Sequence, residues 1–117
     1  MQISNAAPIM NLATAVIASG ASVSSAVKLA GTMVSAIQMP AAWTAASITV
    51  QGSYDGVTYF NLFKDDGTEL SATVAVNQQV IVAWPDLASV RYLKLRSGTA
   101  ALAVAQGGAR SINVITQ

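Results

Sequence analysis

The sequence predicts an all-β protein: a single jelly-roll-like antiparallel β-sandwich of about eight strands with an extended N-terminal arm. Three observations predict it. Short runs alternate apolar and polar residues, turn residues separate those runs at intervals of about ten residues, and no segment keeps a convincing helical period. Within residues 47–63, SITVQGSYDGVTYFNLF carries the clearest hairpin signal. A chain of 117 residues is sized for one domain. The expected division is an arm over 1–22 and a sandwich over 23–117.

Residues 1–22 are small and uncharged, with Ile3, Ile9, Met10, Leu12, Val16 and Ile17 as the larger side chains. Helical spacing over Ile9, Leu12 and Val16 leaves a short helix within 9–27 as the alternative, but Ala-Thr-Ala-Val-Ile-Ala reads better as extended backbone. Such an arm should lie on its own domain or on a neighbour, and a chain shortened past residue 22 is expected to keep a folded β domain. A loop at 19–22 precedes a strand over 24–29, and Ala30-Gly31 turns the chain into a strand over 32–39. There Met33, Ile37 and Met39 should face one way and Val34, Ala36 and Gln38 the other, with the Met residues as core filler. Pro40 ends that run. Trp43, in the following loop, is expected to plug the end of the sandwich, with sugar stacking as the alternative.

In the hairpin, Ile48, Val50 and Gly52 point one way and Ser47, Thr49, Gln51 and Ser53 the other, which predicts one buried and one wet face. Tyr54-Asp55-Gly56 supplies turn chemistry, and 58–63 returns the chain. Lys64-Asp65-Asp66-Gly67 is a second turn. Strands are expected over 70–76 and 78–84 with a reversal at Asn77, and over 90–96 with Leu93 and Leu95 inward and Tyr92, Lys94 and Arg96 outward. Ser97-Gly98 turns again, Gln106-Gly107-Gly108-Ala109 reads as a flexible turn, and Ile112, Val114 and Ile115 are expected in a last strand.

Only 9% of residues are charged and the net charge is +1. Such a surface must be largely Ser, Thr, Asn, Gln, Gly and Ala, which is cheaper to desolvate than a charged one. The expectation is that much of it is covered by other chains; a monomer with an Ala/Ser-rich skin is the alternative. Arg91, Lys94 and Arg96 form at most a short stripe, too little for the phosphate neutralisation that nucleic-acid binding requires. The chain has no Cys and no His, which removes thiolate sites, the commonest metal ligand and the commonest general base. The apolar N-terminal run lacks a basic n-region and is interrupted by Pro8, Asn11 and Thr14, so neither a signal peptide nor a membrane span is expected. Four of the five acidic residues, Asp55, Asp65, Asp66, Glu69 and Asp86, fall in expected turns. Turn chemistry accounts for them better than calcium binding or a glycosidase pair. No enzyme activity and no cofactor are expected.

Two resemblances add to this reading. Residues 48–59, ITVQGSYDGVTY, and 90–96, VRYLKLR, resemble in order and spacing two strands of discoidin-type, galactose-binding-like jelly rolls. In that superfamily, ligands are held by loops at one end of the sandwich. A closer likeness, over most of 25–115, is to small proteins encoded among the virion assembly genes of tailed bacteriophages. It rests on Met39-Pro40-Ala41-Ala42-Trp43-Thr44-Ala45-Ala46, on the Ser-x-Asp-Gly-Val-Thr-Tyr hairpin and on Arg91-Tyr92-Leu93-Lys94-Leu95-Arg96-Ser97-Gly98-Thr99. It implies a virion structural protein made in the host cytoplasm. The form expected is a capsid decoration or cement protein that docks on the head as a homo-oligomer, a trimer being one option. Its partners would be itself and the major capsid protein or another virion protein, with Ile3, Ile9, Met10, Leu12, Val16 and Ile17 as the arm's interface. The alternatives are a neck, tail or head-fibre position, or a carbohydrate-binding module stacking sugar on Trp43, Tyr54, Tyr59 or Trp84.

Overall fold

The computed structural model describes residues 10–82, 84, 87 and 89–117, and its elements are all strands: β1 (Asn11–Ile17), β2 (Val27–Lys28), β3 (Val34–Gln38), β4 (Ile48–Ser53), β5 (Phe60–Asn61), β6 (Ser71–Ala72), β7 (Gln79–Ile81), β8 (Tyr92–Ser97) and β9 (Arg110–Thr116). They form two antiparallel sheets, β1-β9-β3-β7 and β2-β8-β4-β5, with β6 also pairing β4. The connectivity is a folded-over double strand. β4 pairs β5, β3 pairs β7, β2 pairs β8 and β1 pairs β9, so the chain doubles back near residue 56 and the doubled ribbon rolls up into two layers. That wrapping is the jelly-roll pattern.

The core lies between the layers. Ala15 and Ile17 of β1, Ile37 of β3, and Ile112 and Val114 of β9 meet Ile48 and Val50 of β4 and Leu93 and Leu95 of β8, all fully buried. Gly52 continues the inward row of β4, and a Cβ there would come within 2.9 Å of Val90 Cγ1 and 3.0 Å of Leu62 Cδ2. Those two side chains fill the space a larger residue would take.

Several expectations need correction. Residues 11–17 are not an arm: β1 pairs β9 along its whole length and buries Ile17 completely. The pattern Ala13, Ala15, Ile17 inward is that of an ordinary half-buried strand. In β3 a bulge between Val34 and Ala36 shifts the register, so Val34 and Ile37 both face the core although they differ in parity, while Met33 is exposed. The 24–29 strand shrinks to β2, the 70–76 strand to β6, and the hairpin's return arm to β5 and a bridge between Phe63 and Glu69. The connection from β4 to β5 is accordingly longer than a tight turn.

The face of β4 expected to be wet is largely covered, with Gln51 left half-exposed. Thr49 and Ser53 are buried, as is Arg96 across from Thr49 on β8. Thr49 Oγ1 accepts from Arg96 Nε (2.9 Å) and donates to the Gly98 carbonyl (2.7 Å). Arg96 also donates to Asn61 Oδ1 (2.7 Å) and forms an ion pair with Glu69 (2.7 Å), whose carboxylate accepts the Ala100 N–H. The side chains of Arg96 and Glu69 are only 5% and 16% exposed. Arg96 therefore ties the 61–69 hairpin and the 98–103 loop over this face.

Candidate interaction surface

The opposite outer face, that of β1-β9-β3-β7, is where sequence and fold combine into a surface. Of these four strands only β9 carries a charged residue, Arg110, and its Nε donates to the buried Gln106 (3.0 Å). The register sets the outward side chains in rows. One row by register is Leu12, Ile115, Ala36 and Ile81, apolar across all four strands; Leu12 is 60% and Ile81 74% exposed, whereas Ala36 is buried. The next is Thr14, Asn113, Gln38 and Gln79. Here Thr14 Oγ1 donates to Asn113 Oδ1 (3.2 Å), Asn113 Nδ2 to Gln38 Oε1 (3.0 Å) and Gln38 Nε2 to Gln79 Oε1 (2.8 Å). These bonds hold one another's rotamers, so this neutral face is pre-ordered, with little side-chain entropy left to lose on docking. Val16 and Ser111 begin a third row.

The residues expected at an assembly interface divide. Ile3 and Ile9 lie outside the described residues. Met10, Leu12 and Val16 are exposed, the last two on this face. Ile17 is withdrawn, since it points between the sheets and is fully buried. Sequence reasoning missed Ile81, Ile115, Gln38, Gln79 and Asn113. The available signal was four separated strand segments, each with uncharged residues at its outward positions.

The residues offered for sugar stacking do not form one platform. Trp43 is half-buried against the core, with its indole N–H on the Ala46 carbonyl (3.1 Å), as a plug would be. Trp84 is buried and donates to the Ser71 carbonyl (3.2 Å). Tyr54 is 70% exposed with Arg91 5.4 Å from its ring centre, and Tyr59 is half-buried under Lys94 at 4.2 Å. Tyr54 and Phe60 border an open cleft of about 200 Å³ with Leu62 and Val90. The turn expected at 106–109 is anchored at Gln106. Gln106 is buried and all its hydrogen-bonding sites are used, by Thr44 N–H and Arg110 on its oxygen, and by the Thr44 carbonyl and Ser97 on its nitrogen.

Asp55 and Asp66 serve turns, Asp66 Oδ1 accepting the Thr68 N–H (2.8 Å). Asp55 Oδ1 accepts the Val57 and Thr58 N–H groups, both at 2.9 Å, and the Ser53 hydroxyl at 3.0 Å. These bonds, Thr58 foremost, then Val57 and Ser53, hold its carboxyl below its ordinary value of 3.8. A depressed folded value means that the carboxylate's support for the loop is complete above pH 3.8 and is lost as pH falls through the lower folded value. An NMR titration should show the Val57 and Thr58 amides shifting together below that pH. Asp55→Asn should remove the transition.

Comparison with protein-family models, curated proteins and solved structures finds no match in any of the three.

Proposed function

We propose that the protein is a structural component of a tailed-bacteriophage virion, a decoration or cement protein that lays the uncharged face of β1-β9-β3-β7 on the head shell. The observation that carries this is the pairing of an apolar row with a hydrogen-bonded amide row across four strands that show no outward charge. Docking such a face desolvates no ion, and repeated copies add stability to a shell by mass action. The bacteriophage likeness of 25–115 supplies the setting.

The decisive experiment is imaging and compositional analysis of virions purified from the encoding phage. The reading expects many copies in the symmetry of the head. A few copies at the neck or tail would move the protein there, and its absence from particles would end the reading. For the surface itself, Ile81→Lys sets a charge in the apolar row, and Ile81 is exposed, so folding should be unchanged. Cosedimentation with particles lacking the protein should show affinity reduced about 30-fold or more, the scale of a lost interface anchor.

The second reading, a carbohydrate-binding module, draws on Tyr54 and Phe60, both exposed at the far end of β4. A glycan array should be blank; saturable binding abolished by Tyr54→Ala would put it first.

A further inference from the structure

We infer that β1 is a self-pairing edge, at which two copies of this chain join antiparallel across a two-fold axis at Ala13 to make one eight-stranded sheet. The inference stands on the edge itself, independently of the virion reading.

The geometry begins at Val16. Its N–H and C=O turn away from β9: the N–H donates to Ser25 Oγ (3.1 Å) and the carbonyl accepts the Ser25 N–H (2.9 Å). Backbone groups in an antiparallel strand alternate in direction, so those of Thr14 and Leu12 also point away from β9. Among the described residues nothing pairs with them. β1 thus ends the sheet with four outward backbone groups, capped at one end by Ser25.

Edges of this kind are ordinarily guarded by lysine, proline, a bulge or a covering loop. Asn11–Ile17 has no charge, no proline and an unbroken register with β9. What the edge fits best is itself. A two-fold axis at Ala13 sets Leu12 opposite Thr14 of the second copy and Thr14 opposite its Leu12, and these pairs use all four groups. It sets Val16 opposite the second copy's Met10, so the ladder stops where Ser25 already occupies the strand. Identical charged edges would repel, whereas this neutral one meets its copy without electrostatic cost. The neutral outer faces of the two copies then become continuous. A single strand pair covers only part of the roughly 1,200–2,000 Å² that stable interfaces bury, so the dimer should be weak and concentration-dependent.

The chain has no native cysteine, which makes trapping clean. Ala13 would face its own counterpart in a non-hydrogen-bonded pair, where Cα atoms lie about 4.5 Å apart, within the span a disulfide bridges. Full-length Ala13→Cys under mild oxidation should crosslink to a dimer at least about tenfold faster than Val57→Cys, which is 82% exposed and reports random collision. Adding Leu12→Lys and Thr14→Lys should abolish the fast crosslinking. Mixing those chains with Ala13→Cys chains carrying Leu12→Glu and Thr14→Glu should restore it, because opposite charges then face each other. Circular dichroism verifies that each variant is folded. In the Ala13→Cys background, Ile81→Lys, on the far strand of the same sheet, should leave the rate unchanged. Crosslinking no faster than at Val57, crosslinking that survives the paired lysines, or loss on Ile81→Lys would each overturn the inference, the last by pointing to packing through the face.

Discussion

Deleting residues 1–22 is expected to abolish cooperative folding. The deletion removes β1, whose Ala15 and Ile17 are fully buried and whose seven residues pair with β9. Burial of Ile17 alone contributes about 2–3 kcal/mol. The ladder adds a net contribution of about 1 kcal/mol per hydrogen bond. Ile112 and Val114 of β9 would lose the strand that closes the core beside them. Since small domains are stable by only about 5–15 kcal/mol in total, the loss is comparable with the whole. Expression should give insoluble protein, or soluble protein without a sigmoidal melt followed by circular dichroism. A β-rich spectrum with a sharp transition would show that β1 is dispensable.

Arg96→Met should be the most damaging single change to the outer network, at about 3–5 kcal/mol, because it strands the Glu69 carboxylate in a nearly closed site. Glu69→Gln should cost less, since the amide still accepts from Ala100 and Arg96 keeps Thr49 and Asn61. The double variant should be less unstable than the two single losses added together, with a coupling of about 1–3 kcal/mol. Urea denaturation of all four proteins completes the cycle. Additive losses would mean that Arg96 and Glu69 act separately, and that the ion pair does not close the 61–69 hairpin over β4.

Both results turn on what alternation can and cannot reveal. The rows Ile48/Val50, Leu93/Leu95 and Ile112/Val114 were legible because each faces a continuous core and keeps one parity. Turns at Ala30-Gly31 and Asn77 were legible because Gly and Asn take the left-handed conformation readily, as Gly31 (φ 79°) and Asn77 (φ 58°) do; that Ala30 (φ 52°) adopts it as well was not legible, since its Cβ disfavours it. The pairing of β1 was not legible, since its partner is at the other end of the chain and nothing local specifies it. Nor was the burial of Thr49 and Arg96, because the cover comes from loops whose path depends on the ion pair itself. The bulge in β3 defeated the parity of Met33 and Val34. The neutral face was visible only in part: the absence of charge was plain, but gathering Gln38, Gln79 and Asn113 into one row requires the sheet order.

The nested layout also sets an order of events during synthesis. β9 sits between β1 and β3, so until residues 110–116 leave the ribosome β1 lacks its neighbour and β3 has only β7. Contacts this distant in sequence form slowly, and unpaired strands are aggregation-prone while they wait. A chain that stops before residue 110 therefore cannot close its first sheet, and quality control would meet it as an unfinished sandwich.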